Sequence, residues 1–591
     1  MNVQAQMSMD NKELGAASGV LNLTTIDGAF DAVRDIAAAP LCFIGRENAF
    51  PNWQELQFAE PFPDEAALEA AAEHISGLAD YLLPELTQRL NAHHGTSYST
   101  DFWRLIVLPW LLELIQRTWT SFARLSVIAD QAGEKQITVK VFEGDAEWRF
   151  EDTAGFFDTM LKDYRFNWWI DSEIAAVLAT DNWQLLPTEP VQHPVIEEAS
   201  APPKKQSAGI VRRTLRTIKY RLGYSDILGI RWAGLLLSIY VNLLPKNPSK
   251  MRSTFDPDFH PESYFPGGYL DVLNRLIDAT MPDSFLSGFP DLAAKARRLP
   301  YVPGRLRLGV LSFWNEREKV IAAFATEAGE KRVVFQHGGE YGMLKYNIMA
   351  NEMELKSTIF ISWGWSYGKL NESPILPLPS PFHCKIANRH KRQNDNVIVV
   401  GGPIRIHVNR IHWWSRSAMP ARYHKDAIGF IGNLNKNIRQ STLFRPYARA
   451  ASDIDTRQII KDNFPEVPML ENNFFGAIMK CRLVVFYSFG TAMNDTMAAN
   501  TPSVVYMGQD LMTPHKEAEP YFEALRRCGV IHDSPEAAAQ HINAIWDDVE
   551  GWWHSDEVQY ARKIWVEQFA RTDRFWWWHW IKALSKLKDV G

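Results

Sequence analysis

The sequence is poor in cysteine, with only Cys42, Cys384, Cys481 and Cys528 among its 591 residues. These cysteines lie far apart and form no CxxC or CxxxC pair, which argues against a zinc site built on cysteine. Sparse, unpaired cysteines are typical of a reducing compartment. Residues 1–15 are polar and lack the basic and apolar segments of a signal peptide. We therefore expect a cytoplasmic protein.

Long apolar runs and an excess of basic charge are also missing. The longest apolar run, residues 232–244, contains Ser238 and Asn242 and is shorter than the ~20 residues that span a bilayer. The net charge of −6 offers no broad basic surface, so we expect no general nucleic-acid partner. Tryptophan, in contrast, is unusually abundant, with 22 residues. Tryptophan can pack in a core, stack on sugars or bases, or lie at a membrane interface.

The stretch around which the chain is organised is Val333-Val334-Phe335-Gln336-His337-Gly338-Gly339. Its apolar, β-favouring residues followed by polar and glycine positions predict a buried strand that runs into a tight loop. Ligands of open α/β sheets bind outside the carboxyl ends of strands. Gln336 and His337 supply donors and acceptors, and histidine also titrates near pH 7. The equally weighted alternative is a simple turn with a structural histidine.

A second segment also predicts a strand that runs into polar and glycine residues. Residues 483–487 predict a strand, and Ser488-Phe489-Gly490-Thr491 leads from it into a predicted helix at 492–499. Free N–H groups and the helix dipole favour a phosphate at such a helix start, and the two hydroxyls add donors. The segment is neither a GxGxxG nor a Walker loop, so it predicts no dehydrogenase or P-loop ATPase. The alternative is an ordinary helix cap.

The remaining pattern alternates strands and helices, which predicts parallel α/β sheets. Strands are predicted at 40–45, 136–143, 306–311, 332–335, 357–363, 396–400, 427–432 and 503–507. Helices are predicted at 65–90, 105–124, 152–178, 316–327 and 445–461. His94 follows His93 near the end of a predicted helix, and adjacent histidines cannot share a helix face as a metal clamp. His94 either faces a cleft or is a polar helix end.

The pattern divides the chain into four parts. Residues 1–38 are predicted to be partly disordered, and residues 39–410 form an N-terminal α/β domain with helical insertions and a linker near 187–208. Residues 411–545 form a nucleotide-binding domain, and residues 546–591 are helical. Basic residues 211–221 and the tryptophan- and lysine-rich residues 571–588 suit an anionic membrane surface. The alternative for residues 211–221 is a solvated helix face. The alternative for residues 571–588 is aromatic packing against the rest of the protein, and for this segment it is the preferred interpretation.

Several segments resemble transferases encoded in bacterial surface-polysaccharide loci, a family typified by leptospiral proteins. The matching segments are Leu90-Asn91-x-x-His94, Phe102-Trp103-Arg104, Pro109-Trp110-Leu111, Gln336-His337-Gly338-Gly339-x-Tyr341-Gly342, Glu354 with Ser362-Trp363-Gly364-Trp365, Asn500-x-Pro502 and Trp546-x-x-Val549-x-x-Trp552-Trp553. More distantly, the Gln336 loop and the 488–491 segment resemble capsule glycosyltransferases that use CMP-activated 3-deoxy sugars (Kdo). Those enzymes have the GT-B fold, in which two Rossmann-like domains face a cleft.

The resemblance implies a GT-B-like α/β glycosyltransferase that uses a nucleotide-sugar, CMP-linked as one option, and a glycan or lipid-linked acceptor. It implies no metal and no cofactor apart from the donor substrate, and it allows peripheral contact with the inner face of the cytoplasmic membrane. A GT-B-type sugar-nucleotide epimerase and a non-catalytic scaffold are the alternative functions.

The resemblance also implies roles for particular residues. The implied catalytic residues are His337, Glu354 and His94. The implied donor-binding residues are Gln336, Gly338, Gly339, Tyr341, Ser488, Gly490, Thr491 and Asp495. Asp495 stands where the family carries a glutamate. By its local pattern alone, Glu354 would be a solvated surface residue. Arg405, Lys436 and Arg439 are weaker candidates for a basic group near the donor phosphate.

Overall fold

The structure is a computed structural model that describes residues 19–44, 46, 49–144, 147–190, 231–246, 256, 258–309, 313–345, 347–356, 359–367, 374–402, 407, 411, 419–447, 456–508 and 513–587. The described residues contain three parallel sheets, which confirms the predicted α/β class. Most of the predicted linker, the basic residues 211–221 and Arg405 lie outside the described residues.

The first sheet is built from residues before 189. Its strands are β1 (Gly19–Asn22), β2 (Ile36–Ala37), β3 (Ile137–Phe142) and β4 (Trp183–Thr188), in the order β2-β1-β3-β4. Two of these strands fall in the segment predicted to be partly disordered. The predicted first strand at 40–45 is wrong, because Pro40–Phe43 forms a 3₁₀ turn. Pro40 has no N–H to donate to a sheet ladder, which favours the turn.

Helices of the first half of the chain cover this sheet and extend beyond it. They are α1 (Glu65–His94), α2 (Thr100–Ala132), α3 (Thr153–Lys162), α4 (Tyr164–Leu178), α5 (Arg231–Leu243), α6 (Gly267–Thr280), α7 (Phe289–Arg297) and α8 (Glu316–Glu327). The side chain of Asp64 caps α1, and that of Ser99 caps α2. The long helices α1 and α2 pack together, and α8 packs on α2. As a result, one continuous hydrophobic core extends from the first sheet to α8.

The second sheet holds the first candidate loop. Its strands are β5 (Leu306–Gly309), β6 (Lys331–Phe335), β7 (Ile359–Ser362) and β8 (Ile375–Pro377), in sequence order and all parallel. Between β6 and β7, the short helix α9 (Ile348–Ala350) runs into a π-helical turn at Asn351–Leu355. Such turns are rare and occur frequently at functional sites.

The third sheet holds the second candidate segment. Its strands are β9 (Val397–Val400), β10 (Thr442–Arg445), β11 (Leu483–Phe486), β12 (Ser503–Tyr506) and β13 (Ile531–His532), in the order β10-β9-β11-β12-β13. The order reverses between β9 and β11, and ligands of such sheets bind at this switch point. The residues that follow these two strands include Gly401 and Ser488.

Two predictions near the third sheet are wrong. The strand predicted at 427–432 lies inside the helix Met419–Gly432, where Ala427, Phe430 and Ile431 are buried at helical spacing. The helix predicted at 445–461 is wrong at its start, because Arg445 is the last residue of β10, but residues 456–461 do lie in the helix Thr456–Asn463. In addition, β9 pairs with β10 and β11, so the predicted domain boundary at 410/411 separates a strand from its own sheet.

Helices of the second half cover the third sheet and then return to the second. They are α10 (Pro381–Ile386), α11 (Met419–Gly432), α12 (Lys436–Gln440), α13 (Thr456–Asn463), α14 (Phe474–Ile478), α15 (Thr491–Ala499), α16 (Glu519–Arg527), α17 (Pro535–Ile545), α18 (Val549–Trp553), α19 (Asp556–Phe569) and α20 (Trp576–Lys586). Helix α19 packs on α15 and α16. Helix α20 packs on the second sheet, where the ring of Trp580 lies 5.3 Å from that of Phe335. No helix within the described ranges is long and apolar enough to cross a bilayer.

Candidate active site

The two segments singled out in the sequence contact each other directly. The amide of Gly339 donates to Oγ1 of Thr491 at 3.0 Å, and Nδ2 of Asn494 donates to the carbonyl of Gly339 at 3.3 Å. A Cβ atom at position 339 would lie 2.3 Å from the carbonyl carbon of Gly490 and the amide nitrogen of Thr491. The missing side chain of Gly339 therefore permits the approach of the two backbones. The loop after β6 and the start of α15 form a single site.

His337 is the exposed group of this site, and a buried carboxylate holds it. Nδ1 of His337 lies 3.3 Å from Oε1 of Glu354 and 3.3 Å from the hydroxyl of Tyr341. The Tyr341 hydroxyl also donates to Oε2 of Glu354. The imidazole is 38% exposed, whereas the Glu354 side chain is 0% exposed. The alternative of a solvated Glu354 is therefore excluded. The arrangement engages Nδ1, and within the described part of the chain Nε2 forms no hydrogen bond.

The electrostatics of the pair favour the protonated imidazole. Burial acts to lower the pKa of His337, but the hydrogen bond and negative charge of Glu354 outweigh it and raise that pKa above 6.5. Burial and the same carboxylate raise the pKa of Tyr341, so its phenol stays protonated and donates. The His337–Glu354 pair adds stability that is fully present below about pH 6.5 and is lost as the pH rises through the raised pKa.

Glu354→Gln is expected to bring the pKa of His337 below 6.5, because the charge that raises it is lost while the burial remains. An NMR titration of the His337 ring protons measures the shift directly. Glu567→Gln is the control. Glu567 lies near the end of α19 and pairs with Arg571, so its replacement should leave the titration of His337 unchanged. An unaltered His337 titration in Glu354→Gln would rule out Glu354 as the controlling charge.

A buried ion network fixes the turn that carries Glu354. Glu352 accepts from Nη2 of Arg104 at 2.5 Å and from Nζ of Lys356 at 2.9 Å. Asp80 accepts from the same two cations, with 2.6 Å to Nζ of Lys356. Asp80 lies on α1 and Arg104 on α2, so the π-helical turn is tied to both long helices. The direction in which Glu354 points therefore depends on the N-terminal helices.

Gln336 joins the loops that follow β6 and β7. Its Oε1 accepts from the amide of Trp363 and from Nε1 of Trp365, both at 2.8 Å. Its Nε2 donates to the carbonyl of Gly338 at 2.8 Å. The side chain is buried and its polar atoms are engaged in these bonds. Gln336 thus ties the loop after β6 to the loop after β7.

The start of α15 is open to a ligand. Thr491 is exposed, Ser488 and Gly490 are half-buried, and no side chain caps the helix. A Cβ atom at Gly490 would meet no atom of the described residues within 4 Å, so these residues leave open space beside it. The N–H groups of a first helical turn have no partner within the helix and attract anions. Because Ser488 follows β11, this start lies at the switch point of the third sheet.

One turn further along α15, Asp495 contacts a residue that the sequence analysis missed. Oδ1 of Asp495 lies 3.1 Å from Nε2 of His383, whose side chain is fully buried on α10. The ring of His383 lies 4.7 Å from that of Trp363. His383 thus links the loop after β7 to α15. Ser380-Pro381 signals the start of a helix in the sequence, but nothing in the pattern distinguishes His383 from an ordinary core histidine.

Other predicted site residues lie among other contacts. Nε2 of His94 lies 2.9 Å from the carbonyl oxygen of Phe285, and its ring packs on Trp103 and Phe289. These contacts hold the end of α1, and none of them involves the His337 loop. Arg439 pairs with Glu466 at 3.1 Å. Among the described residues, no group of three or more His, Cys, Asp or Glu side chains is arranged to hold a metal ion.

The fold and site define a class of parallel α/β protein in which the loop that carries a histidine–carboxylate pair at one sheet contacts an uncapped helix start at the next. The family model of the LIC12162 family transferases matches residues 20–584 of the chain. The chain belongs to this family, which confirms the prediction of a transferase. No curated protein matches the chain.

Proposed function

We propose that the chain is a glycosyltransferase that moves a sugar from a nucleotide-activated donor to a hydroxyl of a glycan or lipid-linked acceptor in the assembly of bacterial surface polysaccharide. In this proposal the second and third sheets act as the two lobes of a GT-B-like enzyme. The observation that carries it is the contact between Gly339 and Thr491. This contact joins the loop that carries the partly exposed His337 to the start of α15.

The start of α15 is suited to the leaving phosphate of the donor. Departure of the nucleotide leaves negative charge on a phosphate oxygen, and preorganised N–H donors stabilise such charge. The backbone amides of the first turn, with the hydroxyls of Ser488 and Thr491, supply these donors together with the positive end of the helix dipole. These groups compensate the charge without a metal ion, so we propose metal-independent transfer.

His337 is suited to accept the proton of the attacking hydroxyl. This step requires the neutral imidazole, the form that prevails above the raised pKa of His337. As the acceptor oxygen bonds to the anomeric carbon, its proton passes to Nε2 of His337. The bond between that carbon and the phosphate oxygen breaks, and its electron pair leaves with the nucleotide. Glu354 stabilises the resulting imidazolium through Nδ1. Since Glu354 and Tyr341 are buried, they act as positioning residues, and His337 is the catalytic residue.

Binding of the donor's nucleotide should raise the thermal stability of the chain. A nucleotide at 100 times its dissociation constant adds ~2.7 kcal/mol, so a thermal-shift screen with CMP, UDP and GDP identifies the donor class. Thr491→Val keeps the shape of the side chain but removes its hydroxyl, and it should weaken nucleotide binding roughly three- to tenfold, the value of one hydrogen bond.

Thr180→Val is the matched control, because Thr180 is an exposed threonine that precedes β4 in the first sheet. It should leave the nucleotide-induced shift unchanged. Absence of stabilisation by every nucleotide in the screen, or the same shift in Thr491→Val as in the unmodified chain, would count against donor binding at this helix start.

A further inference from the structure

Helices α5 and α20 expose large apolar side chains on their outer faces. Their exposed fractions run from 42% to 78%. These residues are Leu236, Ile239 and Leu243 of α5, Phe575 immediately before α20, and Trp577 and Trp578 of α20. On α5, residues 236, 239 and 243 follow the spacing of a single helix face. Large exposed apolar side chains clustered on two neighbouring helices indicate an interaction site in a folded protein.

The inner faces of the same two helices are already occupied. Leu237 and Val241 of α5, with Trp580 and Leu584 of α20, are buried in one core against the second sheet. The two helices also contact each other. Because both helices lie on the same side of that sheet, their exposed residues point away from it. The outer face of this helix pair is therefore distinct from the packing that holds the helices in place.

The charge on this surface differs in sign from that of the whole chain. Lys582 and Lys586 are exposed on α20, and Arg574 is exposed just before it, whereas the chain carries a net charge of −6. Tryptophan and lysine on one face of a helix are typical of segments that lie in the headgroup region of a bilayer. The indole rings enter the interface, and the lysines meet anionic headgroups.

We propose that the outer face of α5 and α20 docks on an anionic lipid bilayer. The occupant is the membrane surface itself, because basic and aromatic side chains share the patch and complement a negative, partly apolar interface. Trp580, on the opposite face of α20, packs on Phe335, the residue before Gln336. The docked helix would thus lie directly behind the strand that leads into the candidate site.

Co-sedimentation of the full-length chain with lipid vesicles tests this proposal without any sugar donor or acceptor, so its result is separate from that of the proposed function. The chain should bind vesicles that contain phosphatidylglycerol and bind pure phosphatidylcholine vesicles at least ~10-fold more weakly. The double variant Lys582→Gln/Lys586→Gln should bind the anionic vesicles about 30-fold more weakly, from the loss of two favourable charges.

The double variant Trp577→Ser/Trp578→Ser should lose at least ~10-fold in binding to the same vesicles. Tyr560→Ser, which removes an exposed aromatic ring from α19, is the matched control and should bind normally. Thermal unfolding of all variants should match that of the unmodified chain, since the substituted side chains are exposed. Failure of the chain to bind anionic vesicles, equal binding by the Trp577/Trp578 variant, or a tryptophan-dependent dimer without vesicle binding would overturn the proposal.

Discussion

Replacing His337 by alanine is expected to lower the rate of sugar transfer roughly 10²–10⁴-fold, the usual contribution of a positioned general base. The fold should persist, because the imidazole is 38% exposed and only Nδ1 is engaged by Glu354 and Tyr341. Nucleotide binding should change little, since the phosphate is held by the start of α15. The measurement is the transfer rate with the donor that the thermal-shift screen identifies, together with the dissociation constant of its nucleotide.

His554→Ala is the matched control for this variant. His554 is also a partly exposed histidine beside a glutamate, with Nε2 3.2 Å from Oε2 of Glu550, but it lies at the end of α18. It should retain full activity. A non-catalytic scaffold makes the opposite prediction for His337→Ala, which would then keep all function in cells. Full transfer activity in His337→Ala would remove the histidine from the mechanism.

Replacing Gly339 by alanine is expected to separate the two halves of the site. The added methyl group would lie 2.3 Å from backbone atoms of Gly490 and Thr491, which cannot swing aside as a flexible side chain can. Such overpacking costs roughly 1–3 kcal/mol of stability. A shift of ~1 Å between catalytic groups costs about 10²-fold in rate. Chemical denaturation measures the first effect, and the transfer rate measures the second.

Gly267→Ala provides the control for loss of a glycine. A Cβ atom at Gly267 meets no atom within 4 Å, and the residue is the first of α6. This variant should keep its activity and lose no stability. If Gly339→Ala matched it in both stability and activity, the close approach of the two backbones would have no functional importance.

The sequence predicted the strands β5, β6 and β7 of the second sheet and the β11–α15–β12 unit, because their apolar runs end in glycine and polar residues. The two segments that it singled out contact each other through Gly339 and Thr491, and their sharing of one donor stays a prediction. It missed six strands, namely β1, β2, β4, β8, β10 and β13. Of these, β1 and β2 have only four and two residues, and strands of that length give little periodic signal. In the first sheet, β1 pairs with both β2 and β3.

The division of roles within the site could not be predicted from the sequence. Glu354 lies in a polar stretch that resembles a solvated helix, yet the π-helical turn and the ion pairs of Arg104 bury it beneath His337. The pair of Arg104 with Glu352 joins residues 248 positions apart, which is beyond the reach of local sequence patterns. His94 matched a family motif equally well, but it packs among aromatic rings at the end of α1.

The central claim is that the loop after β6 and the start of α15 bind one donor between them. A crystal structure of the chain with the nucleotide that stabilises it most tests this claim directly. We predict that the phosphate accepts hydrogen bonds from the first backbone amides of α15, with Nε2 of His337 facing the same space. A phosphate bound elsewhere, such as beyond Asn22 at the carboxyl edge of the first sheet, would contradict it.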